Sequence, residues 1–266
     1  MNSKRNICRN ITTLTKFEPM SPKKIHYINT LTKYNTITEL INLVKQKKQF
    51  VIETKYDEIN GCPKLIHILF AHKFVLHIIL VETLYLPELD PCLHHQIQCL
   101  FSFILSESNE IQSWNDIKSD LLYFLDCSLF TRRQIQNIQA ISIQHKFQAW
   151  FREKFSNIKL NYIPSNNWTI ENAIAFLFQQ YFDTSLSNSR DWNIELFAHF
   201  ETDYDTNPVP TDQCVLNLLK DNKRRSVLGK YAIHECMVVN KIAALLQNHW
   251  TRQHGESYLK KYYSNF

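Results

Sequence analysis

Glycine is scarce in this sequence. Three glycines occur in 266 residues, at Gly61, Gly229 and Gly255. Loops that hold nucleotide phosphates need several glycines within a few residues, because the backbone must approach the phosphate closely. Glycines this far apart cannot form such a loop, which disfavours the nucleotide-cofactor folds that depend on one.

Paired cysteines and long apolar runs are also missing. The seven cysteines include no C-x-x-C pair, and an odd number cannot form a complete set of disulfides. No apolar run approaches the length of about 18 residues that a membrane span needs. We therefore expect an intracellular protein of the nucleus or cytoplasm, with reduced thiols and no membrane partner.

Positive charge is in slight excess and is concentrated at the N-terminus. The formal net charge is +5, from 30 basic and 25 acidic residues. Residues 1–24 contain six Lys or Arg and the single acid Glu18. This composition predicts a flexible basic arm, with a weak mitochondrial presequence as the alternative. A basic chain is also compatible with a polyanionic partner.

Residues 50–70 indicate how the chain is organised. Apolar and β-branched residues fill 50–54 and 65–70, and Asn60-Gly61 between them is a strong hairpin signal. A third apolar run covers 74–82, so three strands form an antiparallel meander. The other predictions are an edge strand within 25–35, strands at 110–114 and 135–140, and helices at 36–45, 91–105, 116–127, 141–155, 168–182, 212–219 and 225–250.

This order predicts one α/β domain over residues 25–250. Antiparallel strands come first and alternating helices and strands follow, which implies a mixed sheet with helices on its faces. An acidic, proline-bearing loop insertion is expected at about 200–212, and a polar C-terminal tail over 251–266.

Three acidic residues lie where the apolar pattern predicts burial. Glu53 is inside the first strand of the hairpin, and Asp120 lies among apolar residues of the helix that follows the fourth strand. Glu235 lies in the apolar stripe of the last long helix, one turn after Tyr231. A carboxylate that faces a core is costly unless it is paired or bound to a cation. Each acid alone could be a capping or rim residue, but together they predict a shared site.

Carboxylates of this kind suit a particular chemistry. Their oxygens favour Mg²⁺ or Mn²⁺, and without clustered His or Cys zinc is a poor candidate. Several carboxylates around two divalent ions can hydrolyse a phosphodiester, because one ion generates hydroxide and the other stabilises the leaving oxygen. The phenol of Tyr231, one turn from Glu235, could orient the attacking water.

The pattern resembles the DEDDy branch of the DEDD 3′–5′ exonucleases, which includes ribonuclease D and the Werner-type exonuclease domain. The resemblance rests on three motifs, Phe-Val-Ile-Glu-Thr-Lys at 50–55, Ser-Trp-Asn-Asp-Ile-Lys-Ser-Asp-Leu at 113–121 and Tyr-Ala-Ile-His-Glu-Cys at 231–236. It covers about residues 45–247. It implies a ribonuclease H-like fold, two divalent metals, and the 3′ end of single-stranded RNA or DNA as substrate.

The resemblance also implies residue roles. Glu53, Asp120 and Glu235 would be metal ligands, and Tyr231 would position water. Two departures from the family pattern matter here: Glu replaces Asp at positions 53 and 235, and Lys55 stands at the position of a family acid. That lysine changes the local charge by two units and could occupy the place of a metal. Asp57 could substitute only if the strand continues that far.

We therefore expect metal binding and hydrolysis to be weak or absent. The alternative is a pseudo-exonuclease that serves as a nucleic-acid or protein interaction scaffold and performs no chemistry. A second feature with two interpretations is the helix at 141–155, in which basic and aromatic residues are interleaved. It could bind nucleic acid by charge and stacking, or it could be an amphipathic helix with a solvated basic face.

Overall fold

The computed structural model describes part of the chain. The described residues are 14–19, 21–57, 60–87, 90–155, 168–183, 192, 196 and 212–247. The acidic insertion expected at about 200–212 lies outside them apart from Asp212, and so does the tail over 251–266.

Eight strands are present in the described part of the chain. They are β1 Thr15–Lys16, β2 Lys23–Ile28, β3 Gln49–Tyr56, β4 Pro63–His72, β5 Val75–Glu82, β6 Glu110–Ser113, β7 Gln139–Ser142 and β8 Gln180–Tyr181. Six of them form one sheet in the order β2-β5-β4-β3-β6-β7, and β1 pairs with β8 in a separate two-stranded ladder.

The same residues contain seven α-helices and two 3₁₀ segments. The helices are α1 Tyr34–Val44, α2 Pro91–Ile104, α3 Ile117–Leu121, α4 Arg132–Asn137, α5 Ile143–Phe155, α6 Ile170–Phe178 and α7 Asp212–Gln247, and the 3₁₀ segments are Thr83–Tyr85 and Leu122–Cys127. None of the helices found within these ranges combines the length and apolarity that a bilayer crossing requires.

The predicted fold class is confirmed. Strands β3, β4 and β5 form the antiparallel meander, and β6 and β7 continue the sheet in parallel from β3. A meander followed by parallel strands with helices on both faces is the ribonuclease H-like arrangement. The additional edge strand β2 pairs in parallel with β5.

Two apolar cores cover the two faces of the sheet. Alternate residues of β3 face opposite sides, so that Val51 packs in the core under α5, α6 and α7, while Phe50 and Ile52 pack in the core under α1 and α2. Glu53 and Lys55 follow Val51 at intervals of two. They therefore point to the side of the sheet that α7 covers.

Two predicted elements were wrong. Residues 135–140 are not a strand, because Thr131 and Gln134 form a reciprocal capping box that starts α4 before Ile135, and the strand begins only at Gln139. The two helices predicted at 212–219 and 225–250 are one helix, α7. The residues between them are polar but include no glycine or proline that would end a helix.

Part of the predicted N-terminal arm is folded. Thr15 and Lys16 pair with β8, Phe17 is buried in the core under α7, and Lys23 and Lys24 begin β2. Within the predicted arm of residues 1–24, the described part therefore belongs to the folded domain. Burial of the Phe17 ring, which the charge pattern did not reveal, is the physical reason.

Candidate functional site

The structure brings Glu53, Asp120, Tyr231 and Glu235 to one cleft at the end of β3. The cleft has a volume of about 300 Å³. Its lining residues come from β3, from the segment after β6, and from α3, α5, α6 and α7: Glu53, Thr54, Lys55, Tyr56, Trp114, Asn115, Asp120, Gln144, Thr169, Ile170, Glu171, Tyr231 and Glu235.

Lys55 and Glu235 form a salt bridge at the base of this cleft. The Lys55 Nζ lies 2.8 Å from Glu235 Oε1, and each side chain is 10% exposed. The ammonium also lies 5.1 Å from the centre of the Tyr231 ring, in cation–π distance. The position that the family pattern assigns to an acid thus holds an ammonium, and that ammonium is bound to a predicted metal ligand.

Tyr231 is held by the same carboxylate. Because Tyr231 and Glu235 are one turn apart on α7, the phenol donates a hydrogen bond of 3.0 Å to Glu235 Oε1. Burial and the nearby Glu235 carboxylate raise the pKa of Tyr231 well above its usual range. The phenol therefore remains protonated and acts as a donor.

Glu53 is buried beside the start of the second motif. Its Oε1 accepts a hydrogen bond of 2.6 Å from the Trp114 backbone N–H and one of 3.3 Å from the Ser113 hydroxyl. Burial, together with the Glu235 carboxylate, raises the pKa of Glu53 to about 8, while the Trp114 hydrogen bond and Lys55 act in the opposite direction. Glu53 is therefore largely protonated at neutral pH.

Asp120 lies on α3, which the side chain of Asp116 caps. Burial and the neighbouring Asp116 raise the pKa of Asp120 to about 6, opposed by Lys55 and by a hydrogen bond with Tyr56. Asp120 is half-buried and is ionised at neutral pH. It thus contributes a negative charge to the lining of the cleft.

His67, on β4, lies behind the salt bridge. Its Nδ1 is 3.0 Å from the carbonyl oxygen of Ala232, and its Nε2 is 3.4 Å from Glu235 Oε2. Burial lowers the pKa of His67 to about 4, against the opposing effect of Glu235. The neutral imidazole donates from Nδ1 to Ala232, so Nε2 presents a lone pair and cannot donate to Glu235 Oε2.

These residues do not fit a pair of divalent metal ions. Among the described residues, no three or more Asp, Glu, His or Cys side chains converge in a way that could hold a metal ion. The Lys55 ammonium instead binds Glu235 directly. Asp57 offers no replacement, because β3 ends at Tyr56 and Asp57 lies in the turn, where its N–H donates to the Cys62 carbonyl.

Several cleft residues were missed by the sequence reasoning. Asn115, Gln144 and Glu171 line the cleft from three different segments. Thr169 caps α6 and also lines the cleft. Nothing in the local pattern singles out these polar residues. Only the packing of α5 and α6 beside β3 brings them to the site.

Three of the four aromatic residues of α5 are not available for stacking on bases. Phe147, Phe151 and Phe155 are buried, where they pack with Trp168 and Phe176. The basic residues of this helix lie on its exposed side. This packing favours the amphipathic interpretation of α5.

This chain is similar in structure to several proteins whose structures have been solved. No protein-family model and no curated protein matches the chain. Escherichia coli RNase D matches at 15% identity with a TM-score of 0.47, covering 88% of this chain and 46% of that one, so this chain spans about half the length of that enzyme.

Two further matches have a similar level of identity. The EXO domain of Aedes aegypti Nibbler matches at 12% identity and a TM-score of 0.41, covering 84% of this chain and 95% of that one. Trypanosoma brucei RNase D matches at 12% identity and a TM-score of 0.41, covering 91% and 82%. The three matched structures are two ribonuclease D proteins and one EXO domain.

Proposed function

We propose that this chain is an exonuclease-fold domain that binds the 3′ end of a single-stranded nucleic acid without hydrolysing it. The observation that carries the proposal is the buried contact of 2.8 Å between Lys55 Nζ and Glu235 Oε1. In this contact the Glu235 carboxylate binds the ammonium of Lys55, where the family pattern would have a carboxylate bind a metal ion.

Electrostatics explain why hydrolysis is lost. Two-metal hydrolysis needs both ions beside the ligand carboxylates. A divalent ion about 4 Å from an ammonium is repelled by roughly 8 kcal/mol at an effective dielectric constant of about 20. In addition, Glu53 is largely protonated, because the pKa of its carboxyl is raised to about 8. Both effects oppose a pair of metal ions at this position.

The cleft suits a terminal nucleoside. Its volume of about 300 Å³ is at the lower end of the range of small-ligand pockets, roughly 300–1,000 Å³. Carboxylate oxygens accept hydrogen bonds from sugar hydroxyls, and the amides of Asn115 and Gln144 both donate and accept. A terminal phosphate, in contrast, would face the three carboxylates of Asp120, Glu171 and Glu235, of which the Lys55 ammonium compensates only one. A strand that ends in a free 3′-hydroxyl therefore fits better than one that ends in a 3′-phosphate.

The test compares binding and hydrolysis for two labelled single strands that differ only at the 3′ terminus. We expect fluorescence anisotropy to show at least about tenfold weaker binding for the 3′-phosphate strand, which corresponds to roughly 1.4 kcal/mol. In the presence of Mn²⁺, neither strand should release mononucleotides.

Two outcomes would overturn the proposal. Equal affinity for the two strands would mean that the cleft does not hold the 3′ end. Release of mononucleotides that Asp120→Asn abolishes would identify an active exonuclease. The matched control for that variant is Asp126→Asn, which removes the same charge from an exposed residue outside the cleft lining.

A further inference from the structure

A second surface lies at the end of the sheet opposite to the cleft. Strand β4 starts at Pro63, paired with Tyr56 beside the cleft, and ends at its tenth residue, His72, paired with Val75. The two ends of this strand are therefore about 30 Å apart. The turn after His72 consists of Lys73 and Phe74, and we call Lys24, Lys47, Lys73 and Phe74 the distal basic patch.

The two turn residues are poor choices for a hairpin turn. Lys73 has a φ of +56°, in the left-handed region that glycine and asparagine tolerate better than lysine. Phe74 is 94% exposed, so its ring contributes nothing to either core. Residues that break a local rule without any gain in folding are candidates for function.

The charged side chains around this turn are lysines. Three histidines, His26, His72 and His77, lie beneath it, and His77 stacks between the rings of Phe70 and His26. Burial lowers the pKa of all three, and each charged neighbour that contributes is a lysine or another histidine. The lysines among these neighbours are Lys24, Lys47 and Lys73.

The patch lysines have no acidic partners in the described part of the chain. None of the three appears in an ion pair there. Lys24 and Lys73 are exposed, and Lys47 is half-buried just after α1. The patch thus combines uncompensated positive charge with a single protruding aromatic ring.

We propose that the distal basic patch binds the backbone of a single-stranded nucleic acid, with the lysines contacting phosphates and Phe74 stacking on a base. One ring is enough to stack on one base, and every base offers a face to it. Insertion into a membrane surface needs a wider apolar face than one side chain supplies. This binding does not require a strand end, and it does not depend on the function proposed for the cleft.

The probe that separates the two surfaces is a circular single strand, which has no 3′ end. We expect the full chain to bind fluorescently labelled circular single-stranded DNA in an anisotropy titration. With three lysines on phosphates, the logarithm of the binding constant should fall with the logarithm of salt concentration with a slope of about −2.

The variant Lys73→Gly/Phe74→Asn tests the patch without harming the fold. Lys73 has a positive φ and Phe74 does not, and glycine is the preferred first residue of such a two-residue hairpin turn, so the variant should unfold at a higher urea concentration than the natural protein. Its affinity for the circular strand should nevertheless fall at least about tenfold, through loss of one stacked base and one phosphate contact. Lys33→Asn is the matched control, because Lys33 is an exposed residue at the N-terminus of α1 and the variant removes the same charge.

Three results would overturn the proposal. The first is no binding of the circular strand to the natural protein. The second is equal affinity of the circular strand for the natural protein and the turn variant. The third is that vesicles rich in anionic phosphatidylserine bind the natural protein but not the turn variant, and the circular strand does not bind either protein. In that case the patch would recognise a lipid surface and not a nucleic acid.

Discussion

At the scale of single residues, the direction of the Lys55 side chain determines which cation the cleft contains. Lys55 follows Glu53 at an interval of two along β3, so both point to the side that α7 covers. An acid at position 55 would add to the negative charge of the cleft and draw in a cation from solvent. The lysine supplies that cation from within the chain, and Glu235 binds it.

An acid at position 55 should allow the cleft to bind a metal ion. Lys55→Glu changes the charge beside Glu235 by two units, so the variant should show a saturable heat when it is titrated with Mn²⁺ in a calorimeter. The natural protein should show none. Lys64→Glu makes the same charge change on β4 outside the cleft lining and should behave like the natural protein. Saturable binding of equal strength by the natural protein would contradict the role given to Lys55.

The raised pKa of Glu53 makes stability depend on pH. The pKa of Glu53 is about 8 in the folded chain against 4.5 for an ordinary glutamate, so the folded chain binds more protons between these values. The contribution of Glu53 to the free energy of unfolding is therefore fully present below pH 4.5 and is lost as the pH rises through 8.

Glu53→Gln removes this titration while its amide oxygen still accepts from the Trp114 N–H. The free energy of unfolding of the variant, relative to that of the natural protein, should rise by about 2–4 kcal/mol as the pH increases from 4.5 to 8. Urea unfolding at several pH values between these limits measures the difference. A constant difference across the window would show that the carboxyl of Glu53 titrates normally.

At the scale of elements, Gly61 and Gly229 differ in backbone conformation and in the space available for a side chain. Gly61 has a φ of +69°, and an added Cβ would lie 3.2 Å from the Tyr123 ring. Gly229 is inside α7, where an added Cβ would meet only the Tyr27 hydroxyl at 3.8 Å.

Alanine should therefore have opposite effects at these two positions. Gly61→Ala should lower the free energy of unfolding by about 1–2 kcal/mol, because it strains the turn between β3 and β4. Gly229→Ala should raise it by about 1 kcal/mol, because alanine favours a helix interior. Thermal or urea unfolding of the two variants supplies the measurement, and a loss of stability in both would refute the account of Gly229.

Local signals explain which elements could be predicted from the sequence. The β3–β4 hairpin was predictable because Asn60-Gly61 separates two strongly apolar runs. Helix α4 was not, because Ile135 and Ile138 suggest a strand while the capping box of Thr131 and Gln134 favours a helix. In a segment of only six residues, two isoleucines predict a strand less strongly than a hydrogen-bonded capping box predicts a helix.

At the scale of the whole molecule, the site depends on contacts between distant parts of the chain. Spacing and burial pointed to Glu53, Asp120 and Glu235, because a carboxylate in an apolar stripe is visible in the sequence. The salt bridge joins residues 180 positions apart. No local pattern could reveal that Lys55 reaches Glu235, or that α6 places Glu171 in the same cleft.

The two cores also predict how the molecule opens. Strands β3 and β4 lie in the middle of the sheet, with Ile52 and Ile68 in one core and Val51 and Leu69 in the other. Their hydrogen bonds cannot break without exposing both cores to water. The ladder of β1 and β8 has only two residue pairs, extended by the Phe17 N–H, which donates to the Tyr181 carbonyl at 2.9 Å.

Amide hydrogen exchange should separate these two regions. Amides of β3 and β4 should exchange only through global unfolding, with the full dependence on urea concentration. The Phe17 amide should exchange at least about 100-fold faster, through an opening that is roughly 3 kcal/mol less costly and depends less on urea. Equal protection of the Phe17 amide and the central strands would contradict this prediction. The N-terminal segment would then unfold together with the sheet, and the buried Phe17 ring would couple the small ladder to the core under α7.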